Sequence, residues 1–147
     1  MALKVLKGVW FLSMIAALGV LLYVYASLPQ RVVIQDEIDG TLSVSNETVF
    51  YMTMLLMAVT NVLVYVVSRL LSHDLPLRTW FYGLITTLNI FFIVGLNYVA
   101  LFNTQLRSEG LDNIAVVIYA SIALMLLWAL AWPAYLVVRR LSPKQLA

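Results

Sequence analysis

The chain has 147 residues, of which 63% are hydrophobic and 11% are charged, whereas about a quarter of the residues in soluble domains are charged. This composition, with a mean hydropathy of +0.96, excludes an ordinary soluble enzyme. The absence of cysteine excludes disulfides, thiolate metal sites and dithiol redox relays. The formal net charge is +2, but the basic residues are scattered over segment ends, so we expect no nucleic-acid partner.

Four runs without a charged residue are long enough to cross a membrane as helices, since about 20 residues span a hydrocarbon layer about 30 Å thick. The runs cover residues 9–27, 49–68, 80–103 and 114–138. They predict an all-α membrane protein, an antiparallel bundle of four transmembrane helices that forms one domain over residues 1–147. The short connections at 69–79 and 104–113 predict that spans two, three and four pack as successive neighbours.

The first span has an alternative interpretation as a cleaved signal peptide. Lys4 and Lys7 precede it, and Val24-Tyr25-Ala26 has small residues at the spacing of a cleavage site. However, its apolar run of about 19 residues is longer than the roughly 7 to 15 residues of a signal sequence. The sequence therefore favours an uncleaved membrane anchor.

The basic residues predict the orientation, because cytoplasmic loops retain lysine and arginine. Arg31 and Arg107 lie on one side of the four spans, and the other basic residues lie on the opposite side: Lys4, Lys7, Arg69, Arg78, Arg139, Arg140 and Lys144. Both termini are therefore predicted to be cytoplasmic. The last five of these residues are expected to hold the protein to anionic lipid headgroups at the bilayer surface.

Residues 28–48 form the one connection with room for structure of its own. Two β-prone stretches, 31–35 and 41–45, flank Asp39-Gly40, a dipeptide that is frequent in tight turns. They predict a short extracytoplasmic β-hairpin between helices 1 and 2. We interpret the acidic residues of the turn as solvated charges and expect no metal site, since the distant bidentate Glu of a calcium loop is missing.

The four spans contain no Asp, Glu, Lys, Arg or His, so the usual carriers of proton pumping and charged-ligand transport are missing. The chain also has no recognisable catalytic or cofactor motif, which predicts a protein that is not an enzyme and has no cofactor. Neutral polar residues in spans two and three are expected to form helix–helix hydrogen bonds. They are Thr60, Asn61, Thr86, Asn89 and Asn97.

A small polar cavity between spans two and three is the alternative to simple helix packing, and it would bind a lipid headgroup, a quinone or a peptide. Trp128 lies in the middle of span four, where it lines such a cavity or packs against small residues. We expect packing, with Gly83, Gly95 and Ala123 as candidate neighbours.

The segment after the first span resembles a known loop. Tyr25-Ala26-Ser27-Leu28-Pro29, Arg31-Val32-Val33 and Gly40, followed by an aromatic-rich second span, resemble the N-terminal unit of the sporulation-delay-toxin immunity family. The resemblance implies a multi-span protein of a bacterial inner membrane, with Leu28, Pro29 and Gly40 as loop-shaping residues. Members of the founding type protect their producer from a secreted toxin. Where the family has a His-aromatic pair, this chain has 34–36, Ile-Gln-Asp.

These observations leave three hypotheses for a protein of the bacterial cytoplasmic membrane. Four apolar helices without a catalytic set predict a non-catalytic accessory or scaffolding subunit, which packs against a larger membrane assembly or associates with itself. The resemblance implies instead an immunity or sensing protein whose outer loop meets a secreted peptide. A small transporter is the third hypothesis, and the lack of charge within the spans argues against it.

Overall fold

A computed structural model describes residues 2–37, 40–70, 74–104 and 107–141, apart from the side chains of residues 35–37 and 107–113. It confirms the expected fold, four long helices with a two-stranded hairpin between the first and the second. The elements follow in the order α1 (Ala2–Ser27), β1 (Arg31–Glu37), β2 (Gly40–Ser45), α2 (Asn46–Leu70), α3 (Leu75–Phe102) and α4 (Arg107–Leu141). We call the end that carries the hairpin the hairpin end, and the opposite end, where α1 begins and α4 ends, the terminal end.

Each helix begins before the charge-free run that predicted it. Helix α1, for example, begins at Ala2 and so includes both Lys4 and Lys7. The reason is that hydrophobicity marks only the hydrocarbon layer, whereas helical hydrogen bonds continue into the headgroup region, where basic side chains are solvated. All four helices are long and apolar enough to cross a membrane. The protein is therefore a small multi-pass membrane protein whose helices contact the lipid bilayer.

Helix α3 is the centre of the arrangement and contacts each of the other three helices. It packs extensively against α1, which runs in the same direction, and against α4, whereas α2 touches α1 and α3 over smaller areas. Among the described elements, α4 contacts α3 alone. The expected contacts of α2 with α3 and of α3 with α4 are present. The α1–α3 contact was not predictable from loop lengths, which report only on helices that are adjacent in sequence.

The buried apolar side chains form two clusters, one towards each end of the bundle. The cluster at the hairpin end joins α1, α2, α3 and β1 and consists of Ala17, Leu21, Val24, Leu28, Val32, Met57 and Leu96. The smaller cluster lies towards the terminal end and consists of Val64, Tyr82 and Ile85. Three helices thus share a core, to which the described side chains of α4 contribute no member.

The hairpin is an antiparallel pair in which Val32 lies opposite Val44 and the register shifts between Val33 and Gln35. Such a bulge increases the local twist of the strand. Gly40, the first residue of β2, has a φ of +155°, a conformation that side-chain-bearing residues rarely adopt. The turn residues 38 and 39 lie outside the described part of the chain. Because Val32 is completely buried, the hairpin is part of the core and does not hang free from the helices.

Candidate functional site

The structure brings together two of the five polar residues that the sequence singles out. Asn61 of α2 and Asn89 of α3 form a reciprocal amide pair. Asn61 Nδ2 donates to Asn89 Oδ1 at 2.9 Å, and Asn89 Nδ2 donates to Asn61 Oδ1 at 3.1 Å. Asn89 is completely buried and Asn61 is 8% exposed. We call these two residues and their partners in α1, Trp10 and Ser13, the asparagine cluster.

Helix α1 completes the asparagine cluster with two side chains. Trp10 Nε1 donates to Asn61 Oδ1 at 2.9 Å, and Asn89 Nδ2 donates to Ser13 Oγ at 3.0 Å. Ser13 Oγ in turn donates to the backbone carbonyl of Trp10 at 2.8 Å. The cluster therefore connects three helices through direct side-chain hydrogen bonds.

All the amide donors of the asparagine cluster are engaged. One Asn61 N–H donates to the carbonyl of Met57 at 2.8 Å, and the other N–H groups of Asn61 and Asn89 make the bonds given above. An asparagine amide has two N–H donors, so neither residue has a donor left for a ligand. Hydrogen bonds between membrane helices contribute about 0.6 kcal/mol each on average. The cluster is thus suited to fixing the mutual positions of α1, α2 and α3.

The other three predicted polar residues bond within their own helices. Thr60 Oγ1 donates to the carbonyl of Leu56, Thr86 Oγ1 to that of Tyr82, and Asn97 Nδ2 to that of Ile93. Each acceptor lies four residues earlier, where a threonine or asparagine side chain reaches it without help from a neighbouring helix. These residues therefore differ from the expectation that they form helix–helix hydrogen bonds.

Trp10 and Ser13 are site residues that the sequence does not reveal. A tryptophan in the first turns of a transmembrane helix is typical of an interfacial anchor, and a serine in such a helix needs no special partner. Their spacing of three residues, which places both on one face of α1, is the available signal. That signal becomes informative only once the face that meets Asn61 and Asn89 is known.

A hollow of about 180 Å³ does lie between α2 and α3, but apart from Thr53 its walls are apolar. It is lined by Val49, Thr53, Leu56, Phe91, Phe92, Gly95, Leu96 and Val99. Neither asparagine of the cluster lines it. The polar cavity that the sequence suggested as an alternative is therefore replaced by two separate features, a hydrogen-bonded cluster and an apolar hollow.

Two tryptophans join α3 to α4. Trp80 Nε1 donates to the carbonyl of Trp128 at 2.7 Å, and Trp128 Nε1 donates to the carbonyl of Trp80 at 2.9 Å. The Trp128 ring lies against Gly83 so closely that a Cβ atom there would be 2.1 Å from Cζ2. Trp128 thus packs on Gly83, as expected. Gly95 makes no such contact, because a Cβ atom at that position would meet no atom within 4 Å.

Asn103, just after α3, attaches the hairpin to the helices. Its Oδ1 accepts a hydrogen bond from the Val33 N–H at 2.7 Å, and its Nδ2 donates to the Val33 carbonyl at 3.1 Å. The side chain thereby occupies the outer edge of β1 as a neighbouring strand would. Of the expected loop-shaping residues, Leu28 is buried in the core, whereas Pro29 and Gly40 are exposed.

The basic residues of the terminal end lie at helix ends. The Arg69 guanidinium lies 5.3 Å from the centre of the Tyr65 ring, Arg78 is in the first turn of α3, and Arg139 and Arg140 are exposed in the last turn of α4. Lys144 lies outside the described residues. Among the described side chains at this end, Asp74 is the one carboxylate, and its Oδ1 accepts the Leu77 N–H at 3.1 Å. This end of the protein therefore carries an excess of positive charge.

No family model, curated protein or solved structure matches the chain. Among the residues that the structure describes, no three His, Cys, Asp or Glu side chains are grouped so that they could hold a metal ion. The side chains of Asp36, Glu37, Asp39 and His73 lie outside that part of the chain. The candidate sites are thus the asparagine cluster, the tryptophan pair and the docked hairpin.

Proposed function

We propose that the protein is a non-catalytic accessory or scaffolding subunit of a bacterial membrane assembly, with both termini in the cytoplasm. The observation that carries this proposal is the placement of α4, which contacts α3 alone within the described part of the chain. In a closed four-helix bundle each helix has two neighbours. Only 6% of the residues in the apolar segment of α4 are buried inside the protein, compared with 28% of the residues in the apolar segment of α3.

The side of α4 that faces away from α3 supports the proposal. Within the charge-free run 114–138, four large aliphatic residues are at least 62% exposed there and fall on one stripe of the helix at a period of 3.6 residues. They are Val116, Leu127, Leu130 and Val138. Such a stripe offers a helix of a partner protein an apolar surface, on the side of α4 opposite to the tryptophan contact with α3.

The non-catalytic part of the proposal rests on the chemistry of the spans. They carry no ionisable acid or base other than tyrosine, and the amide donors of the asparagine cluster are all engaged. General acid–base catalysis needs a group that exchanges a proton near neutral pH, most often His, Asp, Glu or Lys. The polar residues of the spans therefore support a role in assembly.

The test is gentle solubilisation at the native expression level, followed by a native gel and mass spectrometry of whatever migrates with the chain. We expect a complex of defined mass with constant partners. The double variant Leu127→Ala, Leu130→Ala should release the chain from the complex. The matched control, Leu55→Ala with Val62→Ala, truncates two residues of α2 that are also more than half exposed, and it should leave the complex intact. Recovery of only a lone 16.6 kDa chain would contradict the proposal.

The alternative is an immunity or sensing protein that meets a secreted peptide through the hairpin, and one observation favours it. Since the Val33 N–H and carbonyl both face Asn103, Val33 and its partner Ser43 direct their backbone groups away from each other. The Ser43 N–H and carbonyl therefore face the outer edge of β2, where an extended peptide can add as a third strand. Ile34 and Leu42, each more than half exposed, provide apolar contacts nearby.

This alternative is tested by deleting the gene and exposing the cells to secreted peptide toxins. Deletion should sensitise the cells, and a restored gene with Gly40→Ala or Pro29→Ala should protect them less than the unaltered gene. Gly19→Ala is the matched control, because a Cβ atom at Gly19 would meet no atom within 4 Å. Unchanged sensitivity after deletion would exclude this function.

A further inference from the structure

A cleft of about 670 Å³ opens at the terminal end of the molecule, between the first turns of α1 and α3 and the side of α4. Its volume is within the range of about 300 to 1,000 Å³ that is usual for small-molecule sites. Leu3, Lys4 and Leu6 line it from α1, Thr79 and Trp80 from α3, and Trp128 from α4. The cleft exists because α1 and α4 both pack on α3 without touching each other.

We propose that this cleft binds one anionic phospholipid, with an acyl chain against Trp80 and Trp128 and the phosphate beside the Lys4 ammonium group. The site is distinct from the outward stripe of α4 that we assign to a protein partner. It would tie a specific lipid to the tryptophan pair that holds α4 in place.

The dimensions of the cleft favour a lipid over a transmembrane helix. The residues that line it from α3 extend from Leu75 to Trp80, which is about 7.5 Å along the helix at 1.5 Å per residue. A partner helix would need a groove that continues for about 30 Å, the thickness of the hydrocarbon layer. A cleft one or two turns long at the end of the bundle instead matches the part of a single acyl chain that is next to the headgroup.

The polar groups in the walls also favour an amphipathic molecule with an anionic head. Both indole N–H groups are bonded to backbone carbonyls, and Thr79 Oγ1 donates to the carbonyl of Leu75 at 2.8 Å. The indoles therefore present only ring surface to the cleft. Lys4 is an exposed residue, and its ammonium group has no hydrogen bond or ion pair among the residues that the structure describes. One cation above an apolar wall is the arrangement expected for a lipid phosphate.

The charge around the cleft adds to this complementarity. Besides Lys4, the described side chains of the terminal end include Lys7, Arg69, Arg78, Arg139 and Arg140. Asp74 is their one acidic counterpart, and its carboxylate already caps α3. A zwitterionic headgroup would bring its own cation into this positive field, whereas an anionic headgroup would not.

The experiment uses the purified full chain in mild detergent, mixed with equal amounts of phosphatidylglycerol and phosphatidylcholine of identical acyl chains. Native mass spectrometry of the single chain then counts the lipids that remain bound, whether or not a protein partner exists. We expect one retained lipid with a preference for phosphatidylglycerol. Lys4→Gln should reduce that preference about five-fold, the factor that corresponds to one cationic contact at an anionic surface.

Two further comparisons make the result specific to the cleft. Arg139→Gln removes an equal charge at the same end but outside the cleft, and should leave the preference nearly unchanged. Ala2 also lines the cleft from α1, so Thr79→Phe and Ala2→Phe fill the cleft from opposite walls, and each should lower the retention of both lipids. Equal effects of Lys4→Gln and Arg139→Gln, equal binding of the two lipids by the unaltered chain, or full retention in both filled variants would overturn the proposal.

Discussion

Helix α3 is held on two sides by different means. Towards α1 and α2 it uses the asparagine cluster, in which buried amides bond directly between three helices. Towards α4 it uses shape, because the Trp128 ring fills the space above Gly83 and the indoles bond to backbone carbonyls. The first contact depends on polar side chains that have no substitute in a lipid environment. The second depends on the absence of a side chain at Gly83, which leaves room for the Trp128 ring.

This difference predicts that the two sides of α3 respond to different kinds of substitution. Removing a polar group should loosen α1 and α2, since the remaining partners would be left unsatisfied in an apolar interior. Adding a methyl group should loosen α4, since close helix packing in membranes relies on small residues.

The largest effect is expected for Asn89→Leu. The substitution removes three side-chain hydrogen bonds and leaves one Asn61 N–H and the Ser13 hydroxyl oxygen without their partners. We expect a loss of about 2 to 3 kcal/mol in the free energy of unfolding. The measurement is unfolding in mixed micelles by titration with SDS, followed by circular dichroism.

Asn97→Leu is the matched control for Asn89→Leu, because it is the same exchange in the same helix. Asn97 bonds only to the carbonyl of Ile93 in its own helix, so its loss should cost less than about 1 kcal/mol. If the two variants unfolded at the same SDS fraction, the asparagine cluster would add no more to the packing of α1, α2 and α3 than a hydrogen bond within one helix.

The second effect is expected for Gly83→Ala, on the other side of α3. A Cβ atom at this position would lie 2.1 Å from Trp128, so the indole would have to move and its bond to the Trp80 carbonyl would be strained. Overpacking of this kind costs about 1 to 3 kcal/mol. Gly95→Ala should be neutral in the same SDS titration, because nothing lies within 4 Å of its Cβ position. A Gly83→Ala protein as stable as Gly95→Ala would show that α4 is not seated through Trp128.

The sequence predicts the helices and the hairpin of this protein better than it predicts the contacts between the helices. The helices and the hairpin are predictable because each is encoded locally, by a charge-free run or by two adjacent β-prone stretches. The inward positions of Asn61 and Asn89 follow from the cost of exposing an amide to lipid. Their pairing with Trp10 and Ser13 does not follow, because it depends on the contact between α1 and α3, which are separated in sequence by α2. The sequence offers Gly83 only as one of three small residues against which Trp128 is expected to pack.

The third effect concerns the hairpin and is expected for Asn103→Ala. This change removes the two bonds to Val33, while Val32 and Leu28 still anchor the loop in the core. We expect a loss of about 1 kcal/mol in global stability. Residues 28–48 should become more sensitive to protease, because local opening of a segment costs less free energy when fewer bonds hold it. Thr104→Ala is the control, since Thr104 Oγ1 bonds only to the carbonyl of Leu101. Equal rates of cleavage in the two variants would show that Asn103 does not hold the hairpin.

The smallest effect is a coupling free energy, and it tests most directly whether the two sides of α3 are independent. In a double-mutant cycle, Asn61→Ala and Asn89→Ala should couple by about 1 kcal/mol, because the two amides bond to each other twice. The cycle of Asn89→Ala with Gly83→Ala should be additive within about 0.5 kcal/mol, since these two residues share no partner. SDS titrations of the single and double variants provide both values. Strong coupling in the second cycle would mean that α3 transmits a displacement from one side to the other, and α4 could then not be treated as a helix attached independently of the asparagine cluster.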